Sequence, residues 1–457
     1  MSSLIKSIKS GKGIIRDIFR RINKRDFSGN TGQAVKNSSY QLTQNLLTKI
    51  GSLLFTIIIA RILLPDKMGL YNLALSTIVL FSIFSDLGVG TALFTFVSKA
   101  LGKNNPGKAK SYLKKLLRWK IYLLLISGGI LGVSAYFIAN YYYQKPIFFA
   151  LLAGIFYIPI QGIVGVIESL FKINNDFKTP LYKEIIFQIS RFFVVPLIIL
   201  LLLKFNLSNQ KIIFVTLMTI SFLYFLIFIY LSLKAKGKIK FLKVKEIPLN
   251  RKEKKNLIKF ILPLTTISLS GVFFGYIDTL MLGHYVSEKF IAYYGAAFSL
   301  VGAASVLIGF TSLAVFPIFA RESGKKLESI FKQTRNFTFL LSVLGAIFTY
   351  FVAYYVIRLA YGIEYLPSVG ILKIFAILVM VSPLTGLYDI YYTLREKTKT
   401  IMWLLIVSTV INIILNIIGI TYGLNNYGEI GAVYGACIAT IISRVFYLIG
   451  GVVFRKK

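Results

Sequence analysis

The sequence holds one cysteine and one histidine in 457 residues, and only 17 acidic residues against 53 basic ones. A lone Cys437 excludes an intrachain disulfide and leaves the redox compartment unread. His284 has no second histidine and no cysteine near it, which excludes a structural zinc site. No G-x-x-x-x-G-K-[ST] stretch occurs, so ATP hydrolysis through a P-loop is excluded as well. The loops on one side are all short, which leaves no room for the exposed domain that glycosyl-transfer or polymerisation chemistry needs. No enzyme activity is expected.

What the chain has instead is apolar length. Hydrophobic residues make up 56% and the mean hydropathy is +0.72, beside a formal charge of +36. Hydrocarbon cannot hydrogen-bond a backbone, so runs of about 20 apolar residues read as spanning helices. Twelve such runs are expected, at 42–64, 70–97, 121–140, 147–167, 185–203 and 212–233, then 260–282, 292–316, 337–357, 369–392, 401–420 and 430–453. The fold class is an all-α polytopic membrane protein.

The charge could signal nucleic acid, but its distribution argues otherwise. The N-terminal segment, the even-numbered loops and the C-terminus hold 42 of the 53 Lys and Arg. The odd-numbered loops hold 7, counting Arg61 at the end of the first span with the loop it adjoins, and Lys49, Arg191, Lys373 and Arg444 fall deeper within spans. Basic loops stay cytoplasmic, so both termini are expected on the cytoplasmic side of the cell membrane. Attraction to anionic lipid headgroups follows from the same charges, and no nucleic acid partner is needed. In residues 1–41, Leu4, Ile5, Ile8, Ile15, Ile18, Phe19 and Ile22 recur at helical spacing between basic residues. Such an amphipathic stretch lies on a membrane surface. It lacks the apolar core and cleavage site of a signal peptide.

The chain also repeats itself. Ala60, Pro65, Gly69 and Tyr71 follow the first span much as Met281, Glu288, Ala292 and Tyr294 follow the seventh. Phe96 to Lys103 aligns with Phe319 to Lys326 at the same offset of about 223 residues. Six spans per half is an even number, so the halves enter the membrane in the same direction and are related by an axis along its normal. The expected units are 1–41, a six-helix bundle at 42–233, a basic linker at 234–259 with 11 Lys and Arg, a second bundle at 260–453 and a tail at 454–457. Duplicated parallel bundles suit alternating access.

The local sequences resemble the polysaccharide or O-antigen flippases of the multidrug/oligosaccharidyl-lipid/polysaccharide (MOP) superfamily. The matching pieces are Ala60, Arg61 and Pro65; Gly69 and Tyr71; Asp86, Leu87 and Gly88; Gly102 and Lys103; Asp278 to Gly283; Tyr361 to Tyr365; and Tyr427 to Ala432, running on into Ala439 and Thr440. The resemblance implies two pseudo-symmetric six-helix bundles in a V around a cavity. It also implies a substrate, a polyprenyl (pyro)phosphate-linked glycan moved from the inner to the outer leaflet. Glycan-assembly enzymes would then be the expected partners.

Such a substrate asks for cations inside the membrane to meet its phosphate. A charge at the bilayer centre costs roughly 2.5–3.5 kcal/mol on insertion scales, so one kept there marks a site. Arg191 lies about 9 Å inside its span and Arg444 about 13 Å inside its own, at 1.5 Å per residue. With Lys49 and Lys373, which can also snorkel to the interface, they are the phosphate-binding candidates. Asp86, deep in the second span, is the first candidate for ion coupling by H⁺ or Na⁺, with local helix capping as its plain alternative. Asp278 is the second, near the outer end of the seventh span, where interfacial water favours a structural role as the plain alternative. Asp389 sits near the inner end of the tenth span, where interfacial water favours a structural role, and Glu168 sits at an inner edge, where solvation accounts for it. Tyr141 to Tyr143, Tyr354 with Tyr355, and Tyr391 with Tyr392 read as interfacial aromatic belts. Pro159, Pro196, Pro263, Pro317 and Pro383 interrupt spans and mark moving or cavity-lining helices.

Three other readings compete. A cation-coupled multidrug exporter of the MATE type shares the architecture but wants buried acids, whereas this chain has four basic residues in spans and one deep acid. A lipid II flippase relative carries two further helices, for which the chain has no residues left. A non-transport scaffold leaves the duplication without purpose.

Overall fold

The computed structural model describes residues 29–322 and 324–455. The amphipathic segment expected before residue 29 lies outside them, as do residues 456 and 457 of the tail. The side chain of Pro317 is also outside the described set.

The described chain is almost wholly helical: α1 (Gly29–Phe84), α2 (Val89–Gly102), α3 (Pro106–Phe137), α4 (Phe148–Ile173), α5 (Lys178–Lys204), α6 (Asn209–Lys238), α7 (Arg251–Tyr285), α8 (Glu288–Arg321), α9 (Gly324–Ala360), α10 (Ser368–Leu394) and α11 (Thr398–Arg455). Ten helices in the described part are long and apolar enough to cross a bilayer. Two of them are far too long for one crossing. Helix α1 has 56 residues and α11 has 58, and at 1.5 Å per residue each exceeds a hydrocarbon core of about 30 Å by more than twofold. Each contains one non-helical residue, Leu64 (φ 60°) and Gly428 (φ 67°), so each supplies two passes. Pro65 follows Leu64 and disfavours the helical conformation there. With these kinks counted, the twelve expected spans all have helices.

One expected span is not continuous. Residues 70–97 were expected as a single run, but the chain leaves the helix at residues 85–88, where Leu87 (φ 43°) and Gly88 (φ 78°) are left-handed. The second pass is therefore the distal arm of α1 followed by α2. Hydropathy averages over a window and passes across a four-residue break.

Local chemistry fixes the helix starts. Asn105 accepts the amide of Lys108 at the head of α3, with Pro106 in the first turn. Asn250 and Glu253 form a reciprocal capping box at the head of α7, the first helix of the second half. Of the span prolines, Pro159, Pro196, Pro263 and Pro383 lie inside helices. On α3, Tyr122, Ile126, Ile130, Val133 and Phe137 are exposed at three- and four-residue spacing, an apolar stripe suited to lipid. The repeat partners Tyr71 and Tyr294 are both buried in the core.

The linker is ordered against the first half. The amide of Ile247 donates to the Gly107 carbonyl (3.3 Å), the Ser111 hydroxyl to the Ile247 carbonyl (2.6 Å), and Lys114 pairs with Glu246 (3.0 Å). Lys108 on α3 pairs with Glu253 on α7. The belt reading of the tyrosines fits the exposed Tyr141, Tyr142, Tyr354 and Tyr355 but fails for Tyr143, which is buried in the core, and for the pair Tyr391 and Tyr392. Those two are buried by protein, where Tyr392 donates to the Gly451 carbonyl (2.7 Å) and Tyr391 to Glu328.

Candidate functional site

Two polar constellations are built into the helices, one in each half. In the first half, Arg191 on α5 donates to Gln188 Oε1 (2.7 Å) and to the Ser52 hydroxyl on α1 (3.3 Å). Its guanidinium lies over the ring of Phe55 (4.2 Å) and near that of Phe187 (5.3 Å). Gln188 passes the connection on, donating to Glu184 Oε1 (2.7 Å). Glu184 meets Lys183 (3.0 Å), Lys183 meets Glu168 on α4 (2.9 Å), and Glu168 also takes Lys172 (2.8 Å) and the amide of Gln44 (2.8 Å). Three cations and two carboxylates leave this chain of contacts with one positive charge. The Nε–H of Arg191 is buried without a partner among the described residues.

Sequence reasoning found only Arg191 of this set and read Glu168 as solvated. Glu168 is instead 15% exposed and ion-paired twice. The signal was present: Glu184, Gln188 and Arg191 are spaced by four and three, which puts them on one face of a helix. The span drawn at 185–203 excluded Lys183 and Glu184 and so hid it.

In the second half the centre is Asp278 on α7, 2% exposed. Its Oδ2 accepts from the Tyr294 hydroxyl on α8 (2.7 Å) and the Thr440 hydroxyl on α11 (2.6 Å). Its Oδ1 accepts from the amides of Asn416 (2.6 Å) and Asn412 (3.4 Å), both on α11. The expectation of a residue near the outer end wetted by interfacial water is therefore corrected: the carboxylate is enclosed by neutral donors. The amide oxygens of Asn412 and Asn416 are buried and unpartnered among the described residues. A side-chain amide keeps its shape when its oxygen and nitrogen exchange places. Turning both amides over would bring two carbonyl oxygens toward the carboxylate and Thr440. Asn412 and Asn416, four apart, and Thr440 were missed because neutral side chains in a span attract no notice from a charge count.

Arg444 lies on α11 beside this site, donating to the Phe274 carbonyl one turn before Asp278 (2.9 Å), with its guanidinium 4.0 Å from the Phe274 ring centre. Tyr447 donates to Asp389, which is thus held by protein rather than by solvent alone. Arg191 and Arg444 sit in different halves, each with its own partners. Lys49 and Lys373 are exposed on their helices, Lys373 with its ammonium 5.3 Å from the Tyr350 ring, and neither joins the two constellations. Asp86 lies in the break between α1 and α2, paired with Lys120 on α3 (2.6 Å) and accepting the Gly90 amide (3.2 Å).

The halves meet closely at the end where α1 kinks. A Cβ on Gly69 would stand 1.8 Å from the Glu288 carbonyl oxygen, and one on Gly295 2.6 Å from the Asn72 amide. Arg61 donates to the carbonyls of Leu359 and Ala360, and the Tyr365 hydroxyl to that of Ala60 (3.2 Å). His284 stacks on Tyr142 with ring centres 4.8 Å apart.

A sequence profile described as polysaccharide biosynthesis protein matches residues 34–323, more than half of the chain. The chain belongs to that family. Its fold is that of MOP-superfamily transporters. An inward-facing multidrug resistance MATE family transporter of that superfamily is similar at a TM-score of 0.68 and 14% identity, over 90% of this chain and 94% of the other. The lipid II flippase MurJ, in an inward closed conformation, is similar at 0.62 and 18%, over 90% and 86%. A MOP superfamily transporter from Pyrococcus furiosus, described as having a binding pocket of reverse polarity, follows at 0.52 and 13%, over 93% and 96%. No curated protein sequence matches. The fold and the ten apolar helices of spanning length among the described residues agree on a multi-pass membrane protein.

Proposed function

We propose that the protein is a flippase that carries a polyprenyl-linked oligosaccharide or polysaccharide precursor across the cytoplasmic membrane by alternating access, with both termini cytoplasmic. The observation that carries this reading is the cationic constellation around Arg191. It holds one surplus positive charge at membrane depth and an Nε–H with no partner among the described residues. A desolvated guanidinium forms its strongest hydrogen bonds with phosphate or carboxylate oxygens. A lipid-linked phosphate supplies such oxygens, while the lipid tail stays in the bilayer. Arg444 is the second phosphate-binding candidate. Lys49 and Lys373, being exposed, suit the approach of the headgroup rather than its final seat.

The Asp278 site is the coupling site in this reading. One carboxylate, two reorientable amide oxygens and a hydroxyl oxygen make an all-oxygen donor set with one negative charge, which fits a small hard cation such as Na⁺. A proton on Asp278 is the other form the site accepts. Asp86 is set aside for coupling, because Lys120 already balances its charge.

A MATE-type exporter of cationic drugs is the alternative. It would need acids left free to meet a cationic substrate, and in the first half Glu168 and Glu184 are both held by lysines. The test is glycan export in a cell lacking its own copy. Arg191→Gln/Arg444→Gln should abolish export while the protein still reaches the membrane. Export at the wild-type level would overturn the phosphate assignment.

A further inference from the structure

Where α1 gives way to α2, a cavity of about 360 Å³ opens between those helices, α3 and α4. Small-molecule sites run from about 300 to 1,000 Å³, so its size admits a ligand rather than a few waters. Its polar wall is made by Ser82, Ser85, Asp86, Thr91, Lys120, Gln161 and Ser169. Polar surface of this extent is costly at membrane depth unless it serves a site or a water-filled path.

The chemistry of the wall is specific. Lys120 is buried with its ammonium on Asp86 Oδ1, while the Asp86 side chain stays 40% exposed, so the pair is neutral in sum but presents a carboxylate. Ser82 donates to the Val79 carbonyl (2.7 Å), Ser85 to that of Ser82 (2.5 Å) and Ser169 to that of Gly165 (2.9 Å). Each of these hydroxyl protons is therefore committed to backbone, which leaves the serine oxygens as acceptors. The serine oxygens and the carboxylate disfavour phosphate, and with the Thr91 hydroxyl and the Gln161 amide beside them they suit a ligand rich in O–H groups. Space is provided at Gly165, where no heavy atom lies within 4 Å of a Cβ built on the residue.

We propose that this cavity is a binding site for a neutral, hydroxyl-rich sugar unit, separate from the arginines that meet phosphate. The proposal rests on the flippase reading, which supplies a substrate with both parts. In it, Asp86 and the serines accept the sugar hydroxyls, the Gln161 amide can donate to a ring or linkage oxygen, and the Asp86–Lys120 pair keeps the site free of net charge.

The test places a reporter in the cavity. Cys437 is fully buried, so Gly165→Cys in the full chain gives a single accessible thiol. Its maleimide alkylation is followed in membrane vesicles with lactose, maltose or di-N-acetylchitobiose, and with inorganic phosphate as contrast. At least one disaccharide should slow alkylation several-fold. Phosphate should not, and Gln161→Ala/Ser169→Ala should remove the protection. No protection by any disaccharide, protection by phosphate alone, or protection that survives the double substitution would overturn the site. Lipid co-purifying with the wild-type protein separates the two claims. If a polyprenyl phosphate sugar is bound but no disaccharide protects, only the sugar site falls; if no such lipid is bound, the flippase reading falls.

Discussion

Asp278 meets four donors and no cation in direct contact. A buried carboxylate in that setting is stable because its lone pairs are used, and in the coupling role proposed for it these donors give way to a small cation. Asp278→Asn removes the charge and keeps the shape. It should abolish the dependence of transport on a Na⁺ or H⁺ gradient in proteoliposomes, at a stability cost of about 1–3 kcal/mol from mismatched donors. Gradient dependence unchanged from wild type would contradict the coupling role. Arg191 offers a parallel case. Charge-assisted hydrogen bonds are worth about 1.5–3 kcal/mol, so Arg191→Gln should lower export about tenfold or more. Arg191→Lys, which loses the planar fork, should restore only part of it. Equal activity of the three forms would show that the guanidinium does no more than pack. These residues were legible in the sequence to the extent that they carry charge. Asp278 and Arg191 stand out in apolar runs, whereas Asn412, Asn416 and Thr440 acquire meaning only when the folding of α11 at Gly428 brings them to one carboxylate.

The break in the second pass and the kinks in α1 and α11 belong to the scale of elements. In α11 the two arms touch through glycine: a Cβ on Gly423 would lie 2.2 Å from the Gly431 carbonyl oxygen, and one on Gly435 2.0 Å from that of Gly419. Small residues four apart allow this approach of backbones inside a membrane. Gly435→Leu should therefore drive the arms apart, costing about 1–3 kcal/mol of stability or more. Because Asn416 and Thr440 lie on opposite arms, it should also weaken any protection that Na⁺ gives against thermal unfolding. The exposed Ile438→Ala is the control, and a Gly435→Leu protein as stable as that control would refute the packing account. The sequence told the spans from the loops because burial in lipid imposes a crude rule of length and apolarity. It did not tell that residues 85–88 leave the helix, since a short polar interruption with left-handed Leu87 and Gly88 hardly moves an average over twenty residues.

At the scale of the molecule, the halves are closed against each other where Gly69 meets Glu288 and Arg61 caps the end of α9. Alternating access requires that these contacts part. Asn72→Cys/Gly295→Cys, placed where amide and backbone already touch, should form a disulfide under mild oxidation. Transport should stop when it forms and return on reduction; transport undiminished by a formed cross-link would show that this closure is not a gate. The duplication was readable from the offset of Tyr71 and Tyr294, but the closure was not, because it depends on glycines whose neighbours lie more than two hundred residues away. The central claim is that the cationic interior serves a lipid-linked sugar phosphate. Mass spectrometry of the lipids retained by the purified wild-type protein, set against Arg191→Gln/Arg444→Gln, tests it most directly. A polyprenyl phosphate or pyrophosphate sugar held by the wild type and lost from the double variant is the predicted result, and bulk phospholipid alone in both would contradict it.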